Sequence, residues 1–147
     1  MSTTAPAAAG SATQHPGRDP AHGPGHDPCG NRGHELGRAA ENLAVAYLES
    51  HRLVVLSRNW RCAEGELDIV ATDTRRLIVV EVKARSSGSF GPPERAVTQR
   101  KIARIRAATQ AWRREYRISH CPIRFDVVSV FWPPSGSPRL HHLRGAF

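Results

Sequence analysis

GELDIVATDTRRLIVVEVKAR, residues 65–85, contains two apolar runs, 67–71 and 77–82, joined by the polar segment 72–76. Runs this short and this rich in Val and Ile read as strands, and the polar joint between them reads as a tight turn. The stretch is therefore expected to form a hairpin with strands at 66–71 and 77–84. Asp68 stands in the first run, with Glu81 and Lys83 in the second. Charged side chains are rarely set among aliphatics unless they are paired or bind a metal. Asp68 and Glu81 are equidistant from the middle of the connection, so a simple hairpin register sets them opposite each other, with Cβ atoms about 4.5–5.5 Å apart. Glu81 and Lys83 share a face because strand side chains alternate. Three charges thus converge on one patch.

Upstream of the hairpin, Leu36, Ala40, Leu43, Ala44, Tyr47 and Leu48 recur every three or four residues, which predicts a helix over 33–50 with one apolar stripe. Glu41 lies at the border of that stripe beside Gly37, Ala44 and Val45, which are small enough to leave room around its carboxylate. Periodicity by itself makes Glu41 an ordinary solvated glutamate. Leu53-Val54-Val55-Leu56, followed by polar Ser57-Arg58-Asn59, reads as a first strand, and Ala63-Glu64-Gly65 as the turn into the second. Downstream, 86–93 is a Gly, Ser and Pro loop whose one large apolar residue is Phe90. Ile102, Ile105, Thr109, Trp112 and Tyr116 then define a long helix, with Arg100, Lys101, Arg104, Arg113, Arg114 and Arg117 pointing elsewhere. A last strand carries Phe125, Val127, Val128, Val130 and Phe131, and the 139–144 segment is too short to classify alone. The order α-β-β-β-α-β describes an α/β domain with a mixed sheet flanked by helices.

A chain of 147 residues with 39% hydrophobic content fills one core. Residues 1–32, rich in Ala, Pro and Gly, bury too little to offset the entropy of ordering and read as a disordered tail, leaving 33–147 as the domain. His15, His22 and His26 in that tail are irregularly spaced among prolines, which suits a solvated segment better than a metal site. No stretch approaches the roughly 20 apolar residues of a spanning helix, and the N-terminus does not read as a secretory signal. Cys29, Cys62 and Cys121 form neither a disulfide framework nor a zinc knuckle, so a cytoplasmic location and no membrane association are expected. Lys plus Arg outnumber Asp plus Glu by 21 to 13, for a net charge of +8, which favours a polyanionic partner such as nucleic acid. There is neither a G-x-x-x-x-G-K-[ST] loop nor a G-x-G-x-x-G turn to cradle nucleotide phosphates.

Hydrolysing a phosphodiester takes an activated water, neutralisation of the phosphoryl oxygens and help for the departing alkoxide. Paired carboxylates holding Mg²⁺ meet the first two needs. Mg²⁺ takes a few carboxylate oxygens and keeps several waters, so Asp68, Glu81 and a main-chain carbonyl near Val82, with Glu41 directly or through water, form a sufficient set. Lys83 is placed to position the water or stabilise developing charge, and it is also the counter-charge that lets two carboxylates lie close.

An Asp followed a dozen residues later by Glu-x-Lys, with a helix glutamate upstream, resembles the PD-(D/E)xK nuclease superfamily of restriction-endonuclease and archaeal Holliday-junction-resolvase type. A closer resemblance is to the YraN family of bacterial proteins (uncharacterised protein family 0102). It rests on the segment 37–44, Arg58-Asn59-Trp60-Arg61, Gly65-Glu66-Leu67-Asp68, Val80-Glu81-Val82-Lys83-Ala84-Arg85, Phe90-Gly91-Pro92, Lys101, Arg124-Phe125-Asp126-Val127-Val128 and the terminal Ala146-Phe147. The resemblance implies a restriction-endonuclease-like core with Glu41, Asp68, Glu81 and Lys83 as the catalytic positions. Of these, Glu41, Asp68 and Glu81 would bind Mg²⁺ or Mn²⁺. It also points to Glu66 as a secondary ligand, the alternative for that residue being a cap on the preceding turn, and to Lys101 and Arg85 as phosphate contacts, to which the basic edge of the long helix adds Arg104. The implied activity is endonucleolytic, on DNA in preference to RNA and on branched DNA in particular, and resolvases of this superfamily act as homodimers. Two alternatives stay open: a non-catalytic nucleic-acid-binding module that keeps the nuclease fold, and a basic protein-interaction domain.

Overall fold

The computed structural model describes residues 28–86 and 97–147. Helix α1 (Pro28–Ser50) is followed by strands β1 (Val54–Cys62), β2 (Gly65–Thr72) and β3 (Leu77–Arg85), helix α2 (Gln99–Glu115), and strands β4 (Ile123–Phe131) and β5 (Arg139–Leu143). The five strands form one sheet in the order β1-β2-β3-β4-β5. β1, β2 and β3 run antiparallel as a meander, β3 and β4 are parallel, and β5 returns antiparallel on β4. The parallel step needs a crossover, which α2 supplies. This is the expected α/β architecture, a mixed sheet with a helix on each face, consistent with a restriction-endonuclease-like core.

Two cores lie on either side of the sheet. Ala40, Ala44 and Leu48 of α1 pack on Ile69, Ala71, Ile78, Val80, Val128 and Val130. Ile105, Ala108 and Trp112 of α2 pack on Leu67, Val70, Leu77 and Val79. The central strand β3 is therefore buried on both faces, which explains its unbroken apolar run, 77–80. Glu81 ends that run and is only 4% exposed.

Three boundaries differ from expectation. α1 begins at Pro28, five residues before Gly33; a proline suits a first helical turn because its missing N–H has no intrahelical partner there. The remainder of the expected tail, and most of the 86–93 loop with Phe90, lie outside the described residues. β1 continues through its polar half to Cys62 as an edge strand, with a register shift at Leu56 that leaves Leu56 44% exposed. The unclassified C-terminal segment becomes β5, an edge strand whose formation depends on pairing with β4. Among the described residues no helix is long and apolar enough to cross a membrane.

Candidate active site

β2 and β3 pair in the register of a simple hairpin, Thr72 with Leu77 through Ile69 with Val80. One residue further, that register faces Asp68 with Glu81, and there the main-chain ladder stops. The Val82 N–H donates instead to the Asp68 carboxylate at 2.8 Å. The strand also turns over at this point. Leu67 and Ile69 would share a face of a flat strand, yet Leu67 packs in the α2 core and Ile69 in the α1 core. Across the β1–β2 ribbon, where Arg58 pairs with Ile69 and Trp60 with Leu67, Asn59 takes a positive φ of 49°. Asn is among the few residues that enter the left-handed region readily. The roll brings Asn59 to α1, where its Nδ2 donates to Glu41 Oε2 at 2.8 Å. Glu41, Asn59, Glu66 and Asp68 line one cavity of about 820 Å³ with Gly33, His34, Gly37, Arg38 and Arg61.

Glu81 is held by two ammonium groups, Lys83 Nζ at 2.7 Å from Oε1 and Lys101 Nζ at 3.4 Å from Oε2. The counter-charge role expected of Lys83 is therefore divided between a strand lysine and one in the first turn of α2. That turn is fixed by Thr98, whose Oγ1 accepts the Lys101 N–H. Burial pushes the Asp68 carboxyl up, repulsion from Glu81 and Glu41 pushes it further, and the Val82 N–H and Lys101 only partly offset them, leaving it near pKa 7.

The predicted residues thus assemble unevenly. Asp68, Glu81 and Lys83 meet as expected, and Glu41 joins the Asp68 side through Asn59. Lys101 reaches Glu81 directly. Glu66 makes no turn cap; it pairs with Arg61 at 3.2 Å and lines the Asp68 cavity. Arg104 lies one turn along α2, its Nε donating to the Glu64 carbonyl at 3.4 Å. Arg85 ends β3 two residues past Lys83 and lines neither the Asp68 cavity nor the one beside Arg104. Among the described residues no three His, Cys, Asp or Glu side chains group as a ready metal cage, because Glu41 faces Asn59 and Glu81 faces its lysines.

Periodicity and charge pointed to neither Asn59 nor Asp126. Both stand in segments that carry the family resemblance, but without an assigned role, and the positive φ of Asn59 has no signal in hydropathy. Asp126, fully buried in β4, is gripped by Arg124 Nε and Nη2 at 2.9 and 2.8 Å, by His142 Nε2 of β5 at 2.9 Å and by the Gly145 N–H at 2.9 Å. This network ties β5 and the C-terminus to the sheet. It is completed by the Ala146 N–H to Phe125 carbonyl bond and by Phe147 stacked on Phe125 at 5.3 Å.

The model of the family described as Uncharacterised protein family UPF0102 matches residues 40–130. The chain belongs to this family. UPF0102 proteins from three bacteria show how far the likeness extends. The one from Arthrobacter sp. (strain FB24) is 46% identical over 110 residues, 75% of this chain and 93% of that protein. A Frankia alni UPF0102 protein is 47% identical over 112 residues, covering 76% and 93%. The Geobacter metallireducens UPF0102 protein is 46% identical over 113 residues, covering 76% and 91%. The UPF0102 match contains Glu41, Asn59, Asp68, Glu81, Lys83 and Asp126, so the candidate site falls within the family region, whereas His142, Gly145 and the other C-terminal partners of the Asp126 network lie beyond it.

Proposed function

We propose that this chain is a metal-dependent endonuclease that hydrolyses phosphodiester bonds in nucleic acid, DNA before RNA. The observation that carries the reading is the break in the β2–β3 ladder, where Asp68 takes the Val82 N–H directly across from the buried Glu81 and its lysines. A sheet gives up main-chain bonds and sets a half-buried carboxylate opposite a buried one at a cost in stability, and such perturbed clusters concentrate at functional sites.

The donor set suits Mg²⁺ or Mn²⁺. Mg²⁺ is bound through one or two carboxylates and keeps several waters, so Asp68 and Glu81 suffice without a third converging ligand. The unrelieved repulsion at Asp68 is what a divalent cation would relieve. Glu41 would act through water, with Asn59 fixing its orientation. When bound, the ion supplies charge neutralisation and an activated water. Lys83, 30% exposed beside Glu81, is placed to orient that water or to meet charge developing on the phosphoryl oxygens. The basic balance of the chain favours the polyanionic substrate.

The test is a panel of labelled single-stranded, duplex and branched DNA and RNA incubated with Mn²⁺ or Mg²⁺, with Lys83→Ala as control. Metal-dependent cleavage that Lys83→Ala abolishes supports the reading, and no cleavage of any substrate contradicts it.

A further inference from the structure

A second cavity, of about 300 Å³, lies beside the first and is lined by Arg61, Cys62, Gly65, Glu66, Lys101, Arg104 and Ile105. The two cavities share Arg61 and Glu66, and their charges are opposite in balance. On the α1 side Glu41, Glu66 and Asp68 outnumber Arg38 and Arg61. On the α2 side Arg61, Lys101 and Arg104 face Glu66 as the one carboxylate in the lining. A cleft of this kind suits a cation in its acidic part and an anion in its basic part. Lys101 ties the basic cavity to the carboxylate of Glu81, since it lines that cavity while its Nζ lies 3.4 Å from Glu81.

We propose that Arg61, with Lys101 and Arg104, binds a second phosphate of the nucleic-acid strand, next to the phosphate held at Asp68 and Glu81. The assignment deepens the endonuclease reading and rests on it for the position of the first phosphate. Arg61 is the residue that has to change partner. Its contact with Glu66 is a single Nε to Oε2 approach at 3.2 Å between side chains 78% and 46% exposed. Ion pairs this exposed contribute little to stability and exchange partners readily. A phosphate can take the arginine fork through two parallel hydrogen bonds, a geometry the observed contact does not use. Glu66 thus holds Arg61 at the mouth of the cleft until a phosphate replaces it. A site that engages two phosphates prefers a polynucleotide strand to an isolated phosphodiester.

The measurement is binding of a fluorescein-labelled oligodeoxynucleotide to the full chain in EDTA, by anisotropy over a series of salt concentrations. Cleavage does not enter, so an inactive site leaves the result readable. Arg61→Ala is expected to reduce the slope of log affinity against log salt by about 1 and to weaken binding several-fold at low salt, whereas Arg61→Lys retains most of the slope. Glu66→Gln, which frees Arg61, is expected to tighten binding, an opposite sign that loss of a merely structural ion pair would not produce. A slope unchanged in Arg61→Ala overturns the assignment even if the protein cleaves DNA. Equal Arg61-dependent binding of polyglutamate would overturn it in favour of an acidic protein partner.

Discussion

Asp68 is half-buried and Asp126 fully buried, and their surroundings drive the two acids in opposite directions. For Asp68, burial and two neighbouring carboxylates raise the folded pKa from 3.8 to about 7. The folded state therefore binds a proton more tightly than the unfolded chain. The stability this contributes is fully present below about pH 4 and is lost as the pH rises through 7. Asp68→Asn keeps an acceptor for the Val82 N–H but removes the charge, so it should flatten that decline. At pH 8 it should raise stability by on the order of 2 kcal/mol, read from urea unfolding across pH. Burial also acts to raise Asp126, but hydrogen bonds from His142, Arg124 and the Gly145 N–H outweigh it and hold the acid down near 2. Its contribution is present above about pH 4 and is lost as the pH falls through 2. Asp126→Ala, which leaves Arg124 and His142 without their buried partner, should cost about 3–5 kcal/mol in the same unfolding assay. The chemistry of Asp68, Glu81 and Lys83 was legible in the sequence because charge inside an apolar run is visible there. Asp126 was not, since what makes it important is Arg124 on its own strand and His142 sixteen residues away, joined only when β5 forms.

The site depends on elements bending where ideal ones would not. Asn59 carries the roll of the β1–β2 ribbon and also orients Glu41, and substitutions separate the two roles. Asn59→Gly keeps the positive φ and loses the side-chain bond, so it should retain stability to within about 1 kcal/mol while slowing cleavage. Asn59→Ala should lose stability as well, by roughly a further 1 kcal/mol for the left-handed strain. In α1, Gly33 and Gly37 sit in helical backbone, and an added Cβ would meet nothing within 4 Å. Replacing either with Ala should raise thermal stability, by about 0.5–1 kcal/mol each. The helix periods and the hairpin register were legible from spacing. The bulge at Leu56 and the length of β1 were not, because an edge strand that exposes Val54 and Leu56 breaks the alternation by which strands are read.

At the scale of the whole molecule, two helices clamp opposite faces of one sheet, and the middle of α1 and the first turns of α2 reach the place where β2 and β3 part. α1 brings Glu41 from one side and α2 brings Lys101 and Arg104 from the other. Such an arrangement gathers a charged cluster from distant parts of the chain without disturbing either core, since the neighbouring pairs Ile69–Val80, Val70–Val79 and Ala71–Ile78 stay apolar. The central claim is that Asp68 and Glu81 together form a metal-dependent hydrolytic centre. It is tested most directly by single-turnover cleavage of a labelled DNA substrate, with Mn²⁺ and with EDTA, by the wild-type chain, Asp68→Asn and Glu81→Gln. The account predicts cleavage by the wild type that EDTA abolishes and that either substitution slows by roughly 10²-fold or more, with the oligonucleotide still bound. Equal cleavage by all three proteins, or none by the wild type, would contradict it.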